Sequence, residues 1–321
     1  MLKRRTLCVL AAAAALPVAA LAAYPDRPIR IIVPYAVGGP TDAMARILEA
    51  PLRQALGTPV IVENVPGASG AIGAQQVLRA PADGYTLFLG NNGPSAVTPL
   101  LQKGAAFDPV KDFQPLSLIA KATMVLAVSK ELPVTDMKSF IAYARANPGK
   151  LNYASAGTGS LGHLGSELLL KEAGLQMTHV PYKGQAPTLN ALLAGDVQVL
   201  LTTPTDAMRG HAAAGKIKLI AVTSDAPSPF DPKADLVKSA VPDYVLYSWF
   251  ALLVKSGTPS DVAARLGKAI NQAVASEDVR KRFASLGIVA EGSTPQVVTG
   301  YVKQDVARWS VIIRERNILP D

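Results

Sequence analysis

Cysteine is almost missing from this 321-residue chain: its one copy, Cys8, falls in an N-terminal stretch that reads as an export leader. A mature chain without cysteine has no disulfide, no thiolate metal ligand and no thiol nucleophile. Histidine is nearly as scarce, and His163, His179 and His211 are too scattered to outline a metal site. Neither Ser69 nor Ser160 lies within G-x-S-x-G, so a hydrolase nucleophile elbow is absent. The formal charge of +8 falls by three to +5 once Lys3, Arg4 and Arg5 leave with the leader. No dense Lys/Arg patch interleaved with aromatics accompanies that surplus, which argues against nucleic acid as a partner. Repeats, low-complexity tracts and long charge blocks are also lacking.

Residues 1–23 carry a basic start, an Ala/Leu-rich run and the small-x-small pattern Ala20-Leu21-Ala22, as a signal peptide cleaved near Ala22-Ala23 would. The run is short for a membrane span, which needs about 20 apolar residues. The remaining 298 residues suffice for one large domain or two of ordinary size. Strand-like and helix-like patterns alternate along them, predicting an α/β architecture with mostly parallel sheets.

The opening unit is the clearest. Ile29-Arg30-Ile31-Ile32-Val33 is a β-branched run stopped by Pro34, and Met44, Ile47, Leu48 and Leu52 then recur at helical spacing. Between them Gly38 and Gly39 allow close backbone approach to a ligand, and the next helix presents unpartnered N–H groups, with Thr41 or Asp42 as the expected N-cap. A strand ending near Asn91 delivers a polar loop to a carboxyl edge, where ligands gather in open α/β sheets. From residue 116 to 129 two apolar runs suggest a crossing into a second domain, and residues 245–254 suggest the return. The expected division is therefore residues 24–122 and 247–321 in one lobe and 123–246 in the other, joined by two crossing strands around a hinged cleft.

Gly157-Thr158-Gly159-Ser160-Leu161-Gly162 fits G-x-G-x-x-G between strand and helix. The region about 20 residues on, His179-Val180-Pro181-Tyr182-Lys183, offers no acidic partner for a ribose, so no nucleotide cofactor is expected. His163, in the first turn after this loop, is placed to donate to an anion.

Six ordered motifs carry a resemblance across essentially the whole mature chain. They are Pro34-Tyr35-Ala36-Val37-Gly38-Gly39-Pro40-Thr41-Asp42, Glu63-Asn64-Val65-Pro66-Gly67-Ala68-Ser69-Gly70, Asp83-Gly84-Tyr85-Thr86-Leu87, Phe107-Asp108-Pro109-Val110-Lys111-Asp112-Phe113, Tyr153-Ala154-Ser155-Ala156-Gly157-Thr158-Gly159-Ser160 and His179-Val180-Pro181-Tyr182-Lys183-Gly184. Together they resemble the Bug-type extracytoplasmic solute receptors, the substrate-binding components of tripartite tricarboxylate transporters. Val37 departs from the proline that the family often has there. The resemblance implies a two-lobed periplasmic binding protein of type II-like architecture, each lobe a mixed, mostly parallel sheet flanked by helices. It implies a monomer that closes on a small carboxylate, such as a di- or tricarboxylate, an acidic amino acid or an aromatic acid, and delivers it to membrane permease subunits, with no cofactor, metal or catalysis. The ligand-facing residues it implies are Tyr35, Val37, Gly38, Gly39 and Asn91 from the first lobe. From the second come Ser155, Gly157, Thr158, Gly159, Ser160 and His163, then Tyr182 and Lys183, then Thr202, Thr203 and Asp206. Lys183 is the one basic side chain among these loops. An exported α/β hydrolase acting on a carboxylated substrate is the competing reading, but no nucleophile, base and acid can be assembled from the same loops.

Overall fold

The computed structural model describes residues 24–102, 107–182, 184–228 and 230–319, so the leader and Lys183 lie outside the described residues. The chain forms two six-stranded sheets. The first contains β1 (Ile29–Val33), β2 (Val60–Asn64), β3 (Thr86–Asn91), β4 (Phe113–Thr123), β11 (Tyr247–Lys255) and β12 (Val289–Ala290). Their order is β12-β4-β11-β3-β1-β2. The second contains β5 (Val125–Ser129), β6 (Asn152–Ser155), β7 (Thr178–Pro181), β8 (Val199–Thr202), β9 (Ile217–Val222) and β10 (Asp235–Leu236), in the order β10-β9-β5-β8-β6-β7. Four strands of the first sheet point one way against β11 and β12, and in the second only β5 opposes the other five. Each lobe is thus a mixed α/β layer structure.

The period-two alternation of the strands explains the layers. In β1, Ile31 faces a cluster with Met44 and Leu48 of the helix Pro40–Leu56, whereas Ile32 faces the opposite cluster with Ala74 and Val77 of the helix Ala71–Arg79. In β5, Leu126 and Val128 meet Phe140 and Leu164, and Val125 and Ala127 meet Leu192 and Met208. Buried on both faces, such strands read as continuous apolar runs.

β4 ends at Thr123 in one sheet and β5 begins at Val125 in the other, so Met124 is the link between lobes. Thr223, fully buried, stitches this crossing to the return strand. Its Oγ1 accepts from the Met124 N–H at 2.9 Å and donates to the Leu246 carbonyl at 2.5 Å. The Leu246 N–H in turn donates to the Thr223 carbonyl at 3.0 Å.

Two features were not visible in the sequence. The Pro- and Asp-rich excursion after β9 contributes β10 as a parallel edge strand. The C-terminal helix Pro295–Glu315, expected in the first lobe, buries Val298 and Val302 there but carries Trp309 and Ile312 into the second lobe's core. A helix of this length spans about 30 Å, enough to strap the two lobes together.

Candidate functional site

Between the lobes lies a cavity of about 420 Å³ whose walls come from both. The first lobe supplies Gly39 and Pro40, the start of the helix Pro40–Leu56. Opposite stand Gln185 and Ala186 at the start of the helix Gln185–Ala194, and Thr205 and Ala207 at the start of the helix Asp206–Ala213. Leu189, Leu200 and Met208 form an apolar floor, with Thr202 beside them.

Gly39, not Thr41 or Asp42, is the N-cap of the first helix. Pro40 explains the shift: its fixed φ suits the first helical position, so the helix starts earlier than a hydroxyl or carboxylate cap would place it. Asp42 instead accepts from the Gly38 N–H at 2.9 Å and from Arg46 Nε at 3.0 Å, which shapes the loop. Neither Gly39 nor Gly184, the N-cap of the helix Gln185–Ala194, provides a capping side chain. Thr205 does, accepting from the Met208 N–H at 3.3 Å. Gln185 Nε2 donates to the Thr203 carbonyl at 2.5 Å and ties the two second-lobe loops together.

Three helix N-termini therefore converge on one space, and no Lys, Arg, Asp or Glu side chain is among its described lining residues. Each N-terminus carries roughly half a positive charge. Such a site favours an anionic group at the helix ends and hydrocarbon against the floor.

Of the residues expected from the sequence, Gly39 and Thr202 line this cavity. Thr203 holds Gln185, while Asp206 begins its helix with a side chain 71% exposed and pairs with Arg209 at 3.7 Å. Val37 is 69% exposed beside Gly38. Tyr35 donates to Asn91 Oδ1 at 2.9 Å, and the Gly93 N–H donates to the same oxygen at 3.1 Å, so Asn91 braces its loop. Burial pushes the Tyr35 hydroxyl up to about 12, against the Asn91 hydrogen bond, so it remains a donor at neutral pH.

The loop after β6 is held from beneath. Ser155 Oγ lies 2.6 Å from His179 Nε2 and donates to the Gly157 carbonyl, while the Tyr182 N–H donates to the Ser155 carbonyl. His163 is buried, its ring 3.8 Å from that of His179 and nearly parallel to it. The Gly159 N–H donates to His163 Nδ1 at 3.1 Å, so this nitrogen braces the loop rather than an anion. Ser160 caps the helix Leu161–Ala173 by accepting from the His163 N–H. Thr158 is half-buried between the two left-handed glycines, Gly157 and Gly159.

The third glycine of that loop has a packing reason. A Cβ at Gly162 would lie 2.6 Å from the Leu201 carbonyl oxygen of β8, a backbone atom that cannot swing away. Gly162→Ala is expected to destabilise the fold by about 1–3 kcal/mol in urea titration, despite the better helix propensity of alanine. A neutral or stabilising result would show that the helix can lift off β8 without loss.

The sequence missed Gln185, Leu189, Leu200 and Met208. A Gly-Gln-Ala-Pro start and a Thr three residues before Met208 were the available signals, but only the tertiary contact gathers them. A second cavity of about 550 Å³ is larger and lies on the other side of the helix Asp206–Ala213.

The chain matches the family model described as "Tripartite tricarboxylate transporter family receptor" over residues 44–318. Its fold is similar to that of the periplasmic binding protein BugD, with 31% identity, 93% of this chain and 100% of that one covered, and a TM-score of 0.76. An R. palustris protein solved with adipate is 34% identical, with 93% and 100% covered and a TM-score of 0.80. MatC from Rhodopseudomonas palustris, solved with bound malate, is 31% identical, with 90% and 100% covered and a TM-score of 0.76.

Proposed function

The chain belongs to the tripartite tricarboxylate transporter receptor family, and we propose that the cavity between Gly39 and Thr205 is where it holds a small carboxylate. It is a solute-binding receptor; the competing hydrolase reading has no support in a family of receptors. The observation that carries the site assignment is the convergence of three helix N-termini from both lobes on a space whose described lining residues include no basic side chain. The adipate and malate complexes of its structural relatives support the same solute class.

A carboxylate there receives backbone N–H donors from both sides, each hydrogen bond to charge contributing about 1.5–3 kcal/mol. These donors surround the solute only when the lobes are together, so binding draws the population toward the closed form. Moving it from 1:99 to 99:1 requires about 5.5 kcal/mol of differential affinity. Gly39 and Thr202 touch the solute in this reading. Tyr35, Asn91, Ser155, Ser160 and His163 keep the surrounding loops in shape, and Val37, Gly157, Thr158 and Tyr182 border the approach. The mature receptor works in the periplasm as a monomer and presents its closed shape to membrane permease subunits.

A thermal-shift screen of the mature chain against di- and tricarboxylates, acidic amino acids and aromatic acids tests this. A true solute at ten times its Kd is expected to stabilise the fold by about 1.4 kcal/mol, and to be recovered unchanged. Conversion of the acid to product, or no shift from any of these classes, overturns the assignment.

A further inference from the structure

The larger cavity sits across the crossing strands from the carboxylate cleft. In the first sheet it borders β12 and β4 whereas the cleft follows β1, and in the second it borders the segment after β9 whereas the cleft follows β8. Its walls also come from both lobes. A Cβ on Gly287 would lie in ordinary contact, 3.7 Å, with both the Phe230 ring and the Pro204 carbonyl oxygen, so the lobes meet at its rim.

Its chemistry differs from that of the cleft. Lys121, Arg209 and Arg280 face it, with Glu291 as the one carboxylate among its described lining residues and Asp206 3.7 Å from Arg209. Lys121 Nζ is 3.0 Å from Glu291 and 5.0 Å from the Tyr247 ring centre, whose hydroxyl is tied to Asp225. The Arg209 guanidinium lies 4.6 Å over the Phe230 ring. Arg280 forms no ion pair among the described residues. Ile288 and Val289 supply apolar wall, and Val289 is 49% exposed. A space of this size is within the range of about 300–1,000 Å³ that small-molecule sites occupy.

We infer that this cavity is a second binding site, for an organic anion with an aromatic or branched apolar body. Its carboxylate pairs with Arg280 and Arg209, and its body lies against Val289, Ile288 and the Phe230 ring. Surplus positive charge selects the anion, and the apolar wall and ring faces select against small hydrated ions. The helix Asp206–Ala213 separates the two sites, giving Met208 to the cleft and Arg209 to this cavity.

The test is a methyl-resolved NMR titration of the mature chain with benzoate and, in parallel, with neutral benzamide. Benzoate is expected to shift the Ile288 and Val289 methyls saturably. Benzamide, and benzoate on the Arg209→Ala/Arg280→Ala variant, are expected to bind at least about tenfold more weakly. Unmoved Ile288 and Val289 methyls, or equal affinity for benzamide or in the variant, would overturn the second site. The Leu189 and Leu200 methyls report separately on the cleft with adipate or malate, so silence there sinks the carboxylate-cleft assignment without touching this one.

Discussion

Asp305→Ala is expected to cost about 2–5 kcal/mol of folding stability in urea titration, through loss of one acceptor shared by two buried donors. Asp305 Oδ2 accepts from Asn92 Nδ2 at 2.7 Å and from Trp249 Nε1 at 2.8 Å, and Asn92 Oδ1 accepts from the Trp249 N–H at 3.0 Å. The loop after β3, the return strand β11 and the C-terminal helix are therefore joined at one buried carboxyl. Alanine leaves Trp249 Nε1 without a partner and Asn92 Nδ2 with only its 3.2 Å bond to the Tyr247 carbonyl, the orphaned indole N–H costing about 1–3 kcal/mol. Asp305→Asn retains an acceptor oxygen and is expected to keep most of the stability. A loss below about 0.5 kcal/mol for the alanine variant would show that the network is slack.

The same residue gives stability a pH dependence. Burial raises the Asp305 pKa, outweighing the hydrogen bonds from Trp249 and Asn92. Because the folded state holds this proton more tightly than the unfolded chain, the contribution is fullest below the ordinary carboxylate pKa and declines as pH rises through the window above it. Asp305→Asn should flatten that part of the stability profile, and an unchanged slope would assign the titration elsewhere.

Gly159→Val is the second large effect, and it acts on binding. A Cβ at Gly159 would lie 2.4 Å from Leu101 Cδ1 and 3.6 Å from Val97 Cγ1, both reached across the lobe boundary. The strain of a valine at φ +77° is present whether the lobes are open or closed, and so lowers stability without altering affinity. The collision with Leu101 is one between segments of the two lobes as they stand here, where Val97 and Leu101 pack into the second lobe's core cluster. If it disfavours the closed form by about 2.7 kcal/mol, solute affinity falls about 100-fold, since apparent affinity scales with the competent fraction. Adding Leu101→Ala removes the obstruction and is expected to restore most of the binding, as measured by calorimetry. Full affinity in Gly159→Val alone would mean that this loop does not form part of the closure surface.

Much of the fold was legible because its signals are local. The β-branched run of β1, the Pro-Gly-Gly turn and the heptad-like spacing from Met44 to Leu52 each act within a few residues, and all fold as expected. The small elements were not legible. β10 and β12 are two residues each and exist through pairing with β9 and β4, which no local pattern announces.

The site divides in the same way. Glycine and hydroxyl loops at strand ends were foreseeable, because close backbone approach and N-capping depend on residue type. Which loops face one another was not. His163 reads as an anion donor until Gly159 and His179 are seen to occupy it.

By itself the amino-acid sequence determined the alternation of strand and helix, the lack of a G-x-S-x-G motif, and the family resemblance. These depend on composition and on spacing along the chain. Only the tertiary structure decided that Gly39 lines one cavity with Thr205 and Met208, that Asp305 ties three segments together, and that a second, cationic cavity opens across the crossing strands. Those are contacts between residues as far as about two hundred positions apart, whose partners are chosen by packing of whole lobes rather than by any short run of residues.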